Sequence, residues 1–260
     1  MSEIICSKEE GRRGLSLNTL KYIAVVAMLI DHSAVGLVGT ELPLYSLMRC
    51  IGRITGPVMF FAAAEGYHHT KDIKKYLGRL FLFALISYAP FLYFDSAGQL
   101  SNVNFLYMNV IFTIFLGVLA VHIRRTVKNP VLRVFLIVVC VALSSPADWG
   151  ILGVILILIF DYYYGYRRFQ LFGYFIWVMF DRGLLNLLGE VSGSIFYGNQ
   201  LPYDKEFLLW QMIEWGAVLP LILLSFYKGE KGHKTAFSKW FFYIIYPLHL
   251  MILGYITSLS

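Results

Sequence analysis

Residues 20–38 read LKYIAVVAMLIDHSAVGLV, an apolar run interrupted by the adjacent pair Asp31 and His32. Its length matches the roughly 20 residues an α-helix needs to cross hydrocarbon. Each ionisable group in such a helix costs roughly 2.5–3.5 kcal/mol to insert. A chain that keeps two of them turns them into a bundle interior, usually to carry ions or to do chemistry. This run sets the fold class and marks the candidate site.

The rest of the chain repeats the pattern. Of 260 residues, 58% are hydrophobic and only 15% charged, with a mean hydropathy of +0.65. That excludes an ordinary soluble domain. Apolar segments at about 18–38, 49–67, 75–94, 104–123, 131–147, 149–164, 169–186, 206–227 and 240–258 predict an all-α, polytopic membrane bundle of about nine transmembrane helices. The fifth and sixth are short and separated only by Pro146-Ala147-Asp148, which predicts a tight hairpin.

A net charge of +6 would suit nucleic acid, but its distribution argues otherwise. Lys8, Arg12, Arg13 and Lys21 precede or open the first span. Lys71, Lys74, Lys75 and Arg79, then Arg124, Arg125, Lys128 and Arg133, follow the second and fourth. Arg167 and Arg168 follow the sixth, and Lys228, Lys231, Lys234 and Lys239 the eighth. All lie on one side of the alternating crossings; only Arg49, Arg53, Arg182 and Lys205 fall elsewhere. The positive-inside rule then predicts a cytoplasmic N-terminus, an external C-terminus and a multi-pass protein of the cell (inner, cytoplasmic) membrane. Its surroundings are lipid, and no nucleic-acid partner is expected. Residues 1–17 read as a cytoplasmic segment rather than a cleaved signal peptide, and 18–260 as a single transmembrane domain. Cys6, Cys50 and Cys140 show no metal-ligand or pairing pattern, so neither a metal nor a disulfide is expected.

Depth follows from the ~1.5 Å rise per helical residue. Asp31 and His249 each lie ten residues beyond a basic boundary residue, Lys21 and Lys239. Both therefore reach about 15 Å, near the midplane. In the second span Arg49, Gly52, Arg53 and Gly56 form one helical stripe. Its GxxxG-like glycines permit close helix contact. Pro57 frees the Arg53 carbonyl, and Pro247 does the same for Tyr243. Asn104, Asn109, Thr113, Gln211 and Glu214 lie at about the level of Arg53. The expected substrate-binding set is Arg49, Arg53, Asn109, Gln211, Glu214 and Tyr246. Arg49 and Arg53 would favour a carboxylate or phosphate on the acceptor; alternatively they pair with Asp31 and Glu214 to neutralise buried charge. The Gly/Ser/Asn-rich segment 187–205 is a candidate external lid. Glu65, His68 and His69 sit at the cytoplasmic end of the second span.

Buried Asp, His and Arg without a metal pattern suit proton handling, because histidine exchanges a proton near neutrality. Arginine and amide donors can stabilise charge developing on a carbonyl oxygen. Acyl transfer uses both devices. A proton-coupled transporter or flippase could use the same Asp and His residues, although no internal repeat of the kind many transporters carry is evident.

The segments KYIAVVAMLIDH (21–32), RCIGRITGPVMFFAAAEGYHHT (49–70), KYLGRLFLFALISYAPF (75–91), ADWGILGV (147–154), YKGEKG (227–232) and FFYIIYPLHL (241–250) resemble the TraX family, in order along nearly the whole chain. That family is named for a conjugative-plasmid protein that acetylates the N-terminus of pilin. The resemblance implies a membrane acetyltransferase that takes acetyl-CoA as co-substrate and acts on an acceptor amine or hydroxyl. It implies functional roles for Asp31, His32, Arg49, Arg53, Glu65 and His249. On that reading His32 is the general base and Asp31 tunes or orients a histidine, either His32 or His249, with His249 the base if His32 is structural. Acetyl-CoA enters from the basic face, where Glu65, Lys71, Lys74, Arg79, Arg124 and Arg125 are candidates to hold it. The acceptor approaches from the outer side.

Overall fold

The computed structural model describes residues 14–40, 43–99, 101, 103–181, 189, 205–232 and 236–259. Among these residues the regular structure is helical. The helices are α1 (Leu17–Leu37), α2 (Pro43–Gly52), α3 (Thr55–His69), α4 (Ile73–Ile86), α5 (Tyr88–Asp95) and α6 (Val110–Thr126). They continue as α7 (Pro130–Leu143), α8 (Gly150–Tyr162), α9 (Arg167–Val178), α10 (Lys205–Trp215), α11 (Leu219–Ser225) and α12 (Ala236–Ser258). The segment 187–205, expected as a lid, lies almost wholly outside the described residues, as do Cys6, Lys8, Arg12, Arg13, Arg182 and Lys234.

Three pairs of these helices are interrupted single rods, and proline explains each interruption. A proline removes one amide donor and its ring collides with the carbonyl four residues earlier. Pro57 thus breaks the rod at Arg53–Ile54, between α2 and α3, and Pro90 breaks it at Ser87, between α4 and α5. Pro220 likewise tightens Gly216–Val218 into a 3-10 turn between α10 and α11. Among the described residues only Pro247 is carried inside a continuous helix, α12. Beside the freed carbonyl that the sequence predicts at Pro57, the helix is interrupted at Arg53–Ile54.

Five rods are long and apolar enough to cross a membrane: Leu17–Leu37, Pro43–His69, Ile73–Asp95, Phe207–Ser225 and Trp240–Ser258. The apolar helices α7 and α8 have only 14 and 13 residues. At ~1.5 Å per residue they extend about 20 Å. They form the expected hairpin, and α7 buries only Cys140. Its other faces carry exposed Val131, Val134, Phe135 and Val138, as a lipid-facing helix does.

Helices in lipid gain little from hydrophobic burial against one another, so packing and polar contacts decide their arrangement. α3 is central, touching α1, α6 and α8. Its Phe60 and Phe61 are fully enclosed, with Phe61 edge-on to Phe160 of α8. The basic residues gather at one end of the bundle. There Lys231 Nζ donates to the His69 carbonyl (3.0 Å), and Leu15 bridges Tyr227. Asp72 caps α4 by accepting from the Lys75 amide (3.0 Å), a bond that holds its carboxyl below the usual aspartate range. At the other end Met108 bridges Ala147, and Thr257 Oγ1 donates to the Gly36 carbonyl (3.3 Å).

Candidate functional site

Helix α1 delivers two side chains to two different neighbours. Consecutive helical residues diverge by about 100°. His32 faces α12, where its Nδ1 lies 2.6 Å from His249 Nε2 with the rings nearly parallel at 4°. Asp31 faces α2 and accepts from Arg49 (2.7 Å). The expectation that Asp31 orients a histidine is therefore corrected: its partner is an arginine, and His249 is the histidine's partner.

The histidine pair has a defined direction. His249 Nδ1 lies 2.8 Å from the Ile245 carbonyl, which can only accept, so that nitrogen carries the hydrogen. In a neutral ring Nε2 then accepts, and His32 Nδ1 donates to it. The proton-free position left over is His32 Nε2. His32 lines a cavity of about 230 Å³ and His249 stands behind it. A neutral imidazole held in one tautomer, with its basic nitrogen free, is the arrangement a general base requires.

The two glycines of the α2–α3 stripe make room for this site. A Cβ at Gly52 would fall on the Asp31 carboxylate, and one at Gly56 on the Trp149 ring. Gly52→Ala should therefore push Asp31 off Arg49. Alanine gains up to ~1 kcal/mol in helix propensity, but overpacking costs about 1–3 kcal/mol. The net expectation is a lower Tm of the detergent-purified protein; an unchanged Tm would show that the contact relaxes freely.

Arg53 donates to Glu214 of α10 (2.8 Å). Both arginines are thus paired, Arg49 with Asp31 and Arg53 with Glu214, as the second of the two sequence readings has it. The cavity wall holds three carboxylates, Asp31, Asp95 and Asp148, against the two guanidiniums. No ion pair reaches Asp95 or Asp148 among the described residues. Tyr246 lines the cavity too, its buried hydroxyl making no well-formed hydrogen bond.

Two expected ligands go elsewhere. Asn109 caps α6, accepting from the Ile111 and Phe112 amides and donating to the Ala84 carbonyl (2.8 Å). That commits its amide to the backbone. Gln211 lies partly buried on α10 and lines neither of the cavities described here.

Asp148 and Trp149, from the α7–α8 turn, were not among the expected site residues. Trp149 adopts a left-handed φ of 60°, a strained conformation for a non-glycine residue that tends to occur at functional sites. The turn is held by Thr113 Oγ1, which donates to the Asp148 carbonyl (2.6 Å). The available signal was an aspartate and a tryptophan lodged between two short apolar runs.

A second cavity, of about 340 Å³, opens towards the basic end. Lys21, His69, Arg79 and Lys231 supply the basic part of its wall. Of the residues expected to hold a donor, only Arg79 lines it. Lys71, just before α4, and Lys74, in its first turn, are exposed. Glu65 is buried behind the wall, accepting from Tyr227 (3.2 Å) and close to His69 (3.4 Å). Arg124 and Arg125 are engaged by fully buried Asp161, which also accepts from His68 (2.7 Å). Among the described residues no cluster of His, Cys, Asp or Glu has metal-binding geometry.

The family model described as TraX protein matches residues 16–257. A probable fimbrial assembly protein from Dichelobacter nodosus, FimC of serogroup H1, is 31% identical over 238 residues, covering 90% of this chain and 92% of the relative. No solved structure matches the chain. The matched span takes in both cavities and the paired histidines, and the chain belongs to the TraX family.

Proposed function

We propose that the protein is a multi-pass membrane acetyltransferase that moves an acetyl group from cytosolic acetyl-CoA to an acceptor amine. The observation that carries this reading is the Ile245–His249–His32 relay, which leaves a basic nitrogen free at a cavity wall. The protein crosses the cell membrane nine times with its basic end and N-terminus in the cytoplasm. TraX membership and the fimbrial name of the Dichelobacter relative favour a pilin-like peptide as the acceptor.

In the reaction the bound ammonium first gives one proton to a cavity carboxylate such as Asp148, and the neutral amine nitrogen then attacks the thioester carbonyl carbon. A C–N bond forms, the C–S bond breaks, and the thiolate leaves. His32 Nε2 takes the proton from the attacking amine and returns it to the departing sulfur. His249 holds His32 in the correct tautomer and shares the charge of the transient imidazolium. The guanidiniums of Arg49 and Arg53 are placed to stabilise the carbonyl oxygen as it becomes negative. The surplus carboxylates favour an ammonium-bearing acceptor over an anionic one, which points to N- rather than O-acetylation.

Purified protein incubated with acetyl-CoA should release CoA faster when given a peptide with a free N-terminal amine than when given its blocked counterpart. Asp148→Asn should weaken that preference by roughly 10–100-fold, the value of a hydrogen bond to a charged group. A protein that neither binds nor turns over acetyl-CoA would overturn the enzymatic reading. Two cavities that meet at a shared wall also suit a transporter. Solute flux into proteoliposomes without CoA release would favour that alternative.

A further inference from the structure

The two cavities share a wall. Met59, Ile111, Ile114 and Phe242 line both, forming an apolar waist between the basic chamber and the chamber of His32. The waist has a charged attachment. Lys21 Nζ sits 3.7 Å from the centre of the Phe242 ring, and Lys21 itself lines the basic chamber. Arg79, on the same chamber, has a buried Nε with no hydrogen-bond partner. One chamber thus offers cationic donors, and the other offers the base.

We infer that the basic chamber binds the phosphate-bearing end of a nucleotide thioester through Lys21 and Arg79, and that the Phe242 waist limits the acyl group reaching His32. This rests on the acetyltransferase reading above and deepens it. A phosphate is a stronger partner for an ammonium than an aromatic face is. Donor binding therefore draws Lys21 off Phe242 and loosens the ring, so the narrow thioester arm passes only when its phosphates are seated. The aliphatic and aromatic waist admits a small acyl group and resists a longer one.

The test uses the full-length, detergent-purified protein and measures CoA binding by titration calorimetry. Lys21→Gln combined with Arg79→Gln should weaken CoA binding on the order of tenfold or more, the value of about one charge-assisted contact. His32→Ala should bind CoA like the wild type. In parallel, Phe242→Ala should raise the ratio of butyryl to acetyl transfer about tenfold, and Phe242→Leu should raise it less. Gel filtration identifies folded variants, and Arg79→Lys with Lys21→Arg keeps the charges if the glutamine pair does not fold. Unchanged CoA affinity in Lys21→Gln with Arg79→Gln, or an unchanged butyryl-to-acetyl ratio in Phe242→Ala, overturns this inference and leaves the acetyltransferase reading standing. Wild-type protein that takes up no CoA overturns both.

Discussion

Replacing His32 with alanine is expected to lower acetyl transfer by about 10²–10⁴-fold, the usual loss when a general base is removed. The protein should still enter the membrane, because deleting a polar group from a span eases insertion. CoA release by the purified variant, compared with wild type at equal amounts of folded protein, measures the effect. His249→Ala is expected to lower kcat less and to leave the donor KM nearly unchanged, because His249 acts through His32. Near-normal turnover in His32→Ala would make His32 a packing residue. His249 would then become the base.

The largest loss of stability is expected from Asp161→Asn at the basic end. The Asp161 carboxylate is fully enclosed and accepts from Arg124, Arg125 and His68, joining α6, α8 and α3. Tyr164 stacks on His68 at 3.4 Å between ring centres, closing the cluster from outside. Removing one member of a buried ion network costs about 3–5 kcal/mol, because the remaining charges stay desolvated and unpaired. Arg124 and Arg125 retain some exposure, 27% and 37% of their side chains, which places the expectation at the lower end of that range. A marked fall in Tm and in yield of the detergent-solubilised protein should follow. Replacing Asp161, Arg124 and Arg125 together by apolar residues should restore part of the loss, since no orphaned charge is left behind. An unchanged Tm in Asp161→Asn would mean that water reaches the cluster.

The rods and their depths are written in the sequence because both depend on local quantities. Apolar run length locates the helices, and rise per residue is enough to bring His32 level with His249 and Arg53 level with Glu214. Side-chain direction is harder. That Asp31 turns to Arg49 while His32 turns to His249 depends on which neighbour each face of α1 meets, and hydropathy does not encode that. The basic residues pose the same difficulty. Arg124 and Arg125 look available in the sequence, yet Asp161, at the end of an apolar run, claims both. Lys21 reads as a boundary residue until Phe242, 221 positions later, brings its ring against it. Asp148 and Trp149 come into view only when the hairpin folds back over α3. Trp149 occupies the space left by Gly56.

The shortness of α7 and α8 has a consequence for the bilayer itself. The tip of their hairpin supplies Asp148 to the same cavity as Asp31, and Asp31 lies six residues below the end of α1 at Leu37. With 14 and 13 residues against the 21 of α1, the helices of the hairpin are about 10 Å shorter than α1. Lipid beside α7 must thin to meet the hairpin, at a cost of fractions of a kcal/mol per ångström. A bilayer thinned around the hairpin would bring the headgroup region and its water nearer to the cavity wall that Asp148 shares with Asp31. A polar acceptor arriving by that route is spared part of the hydrocarbon crossing.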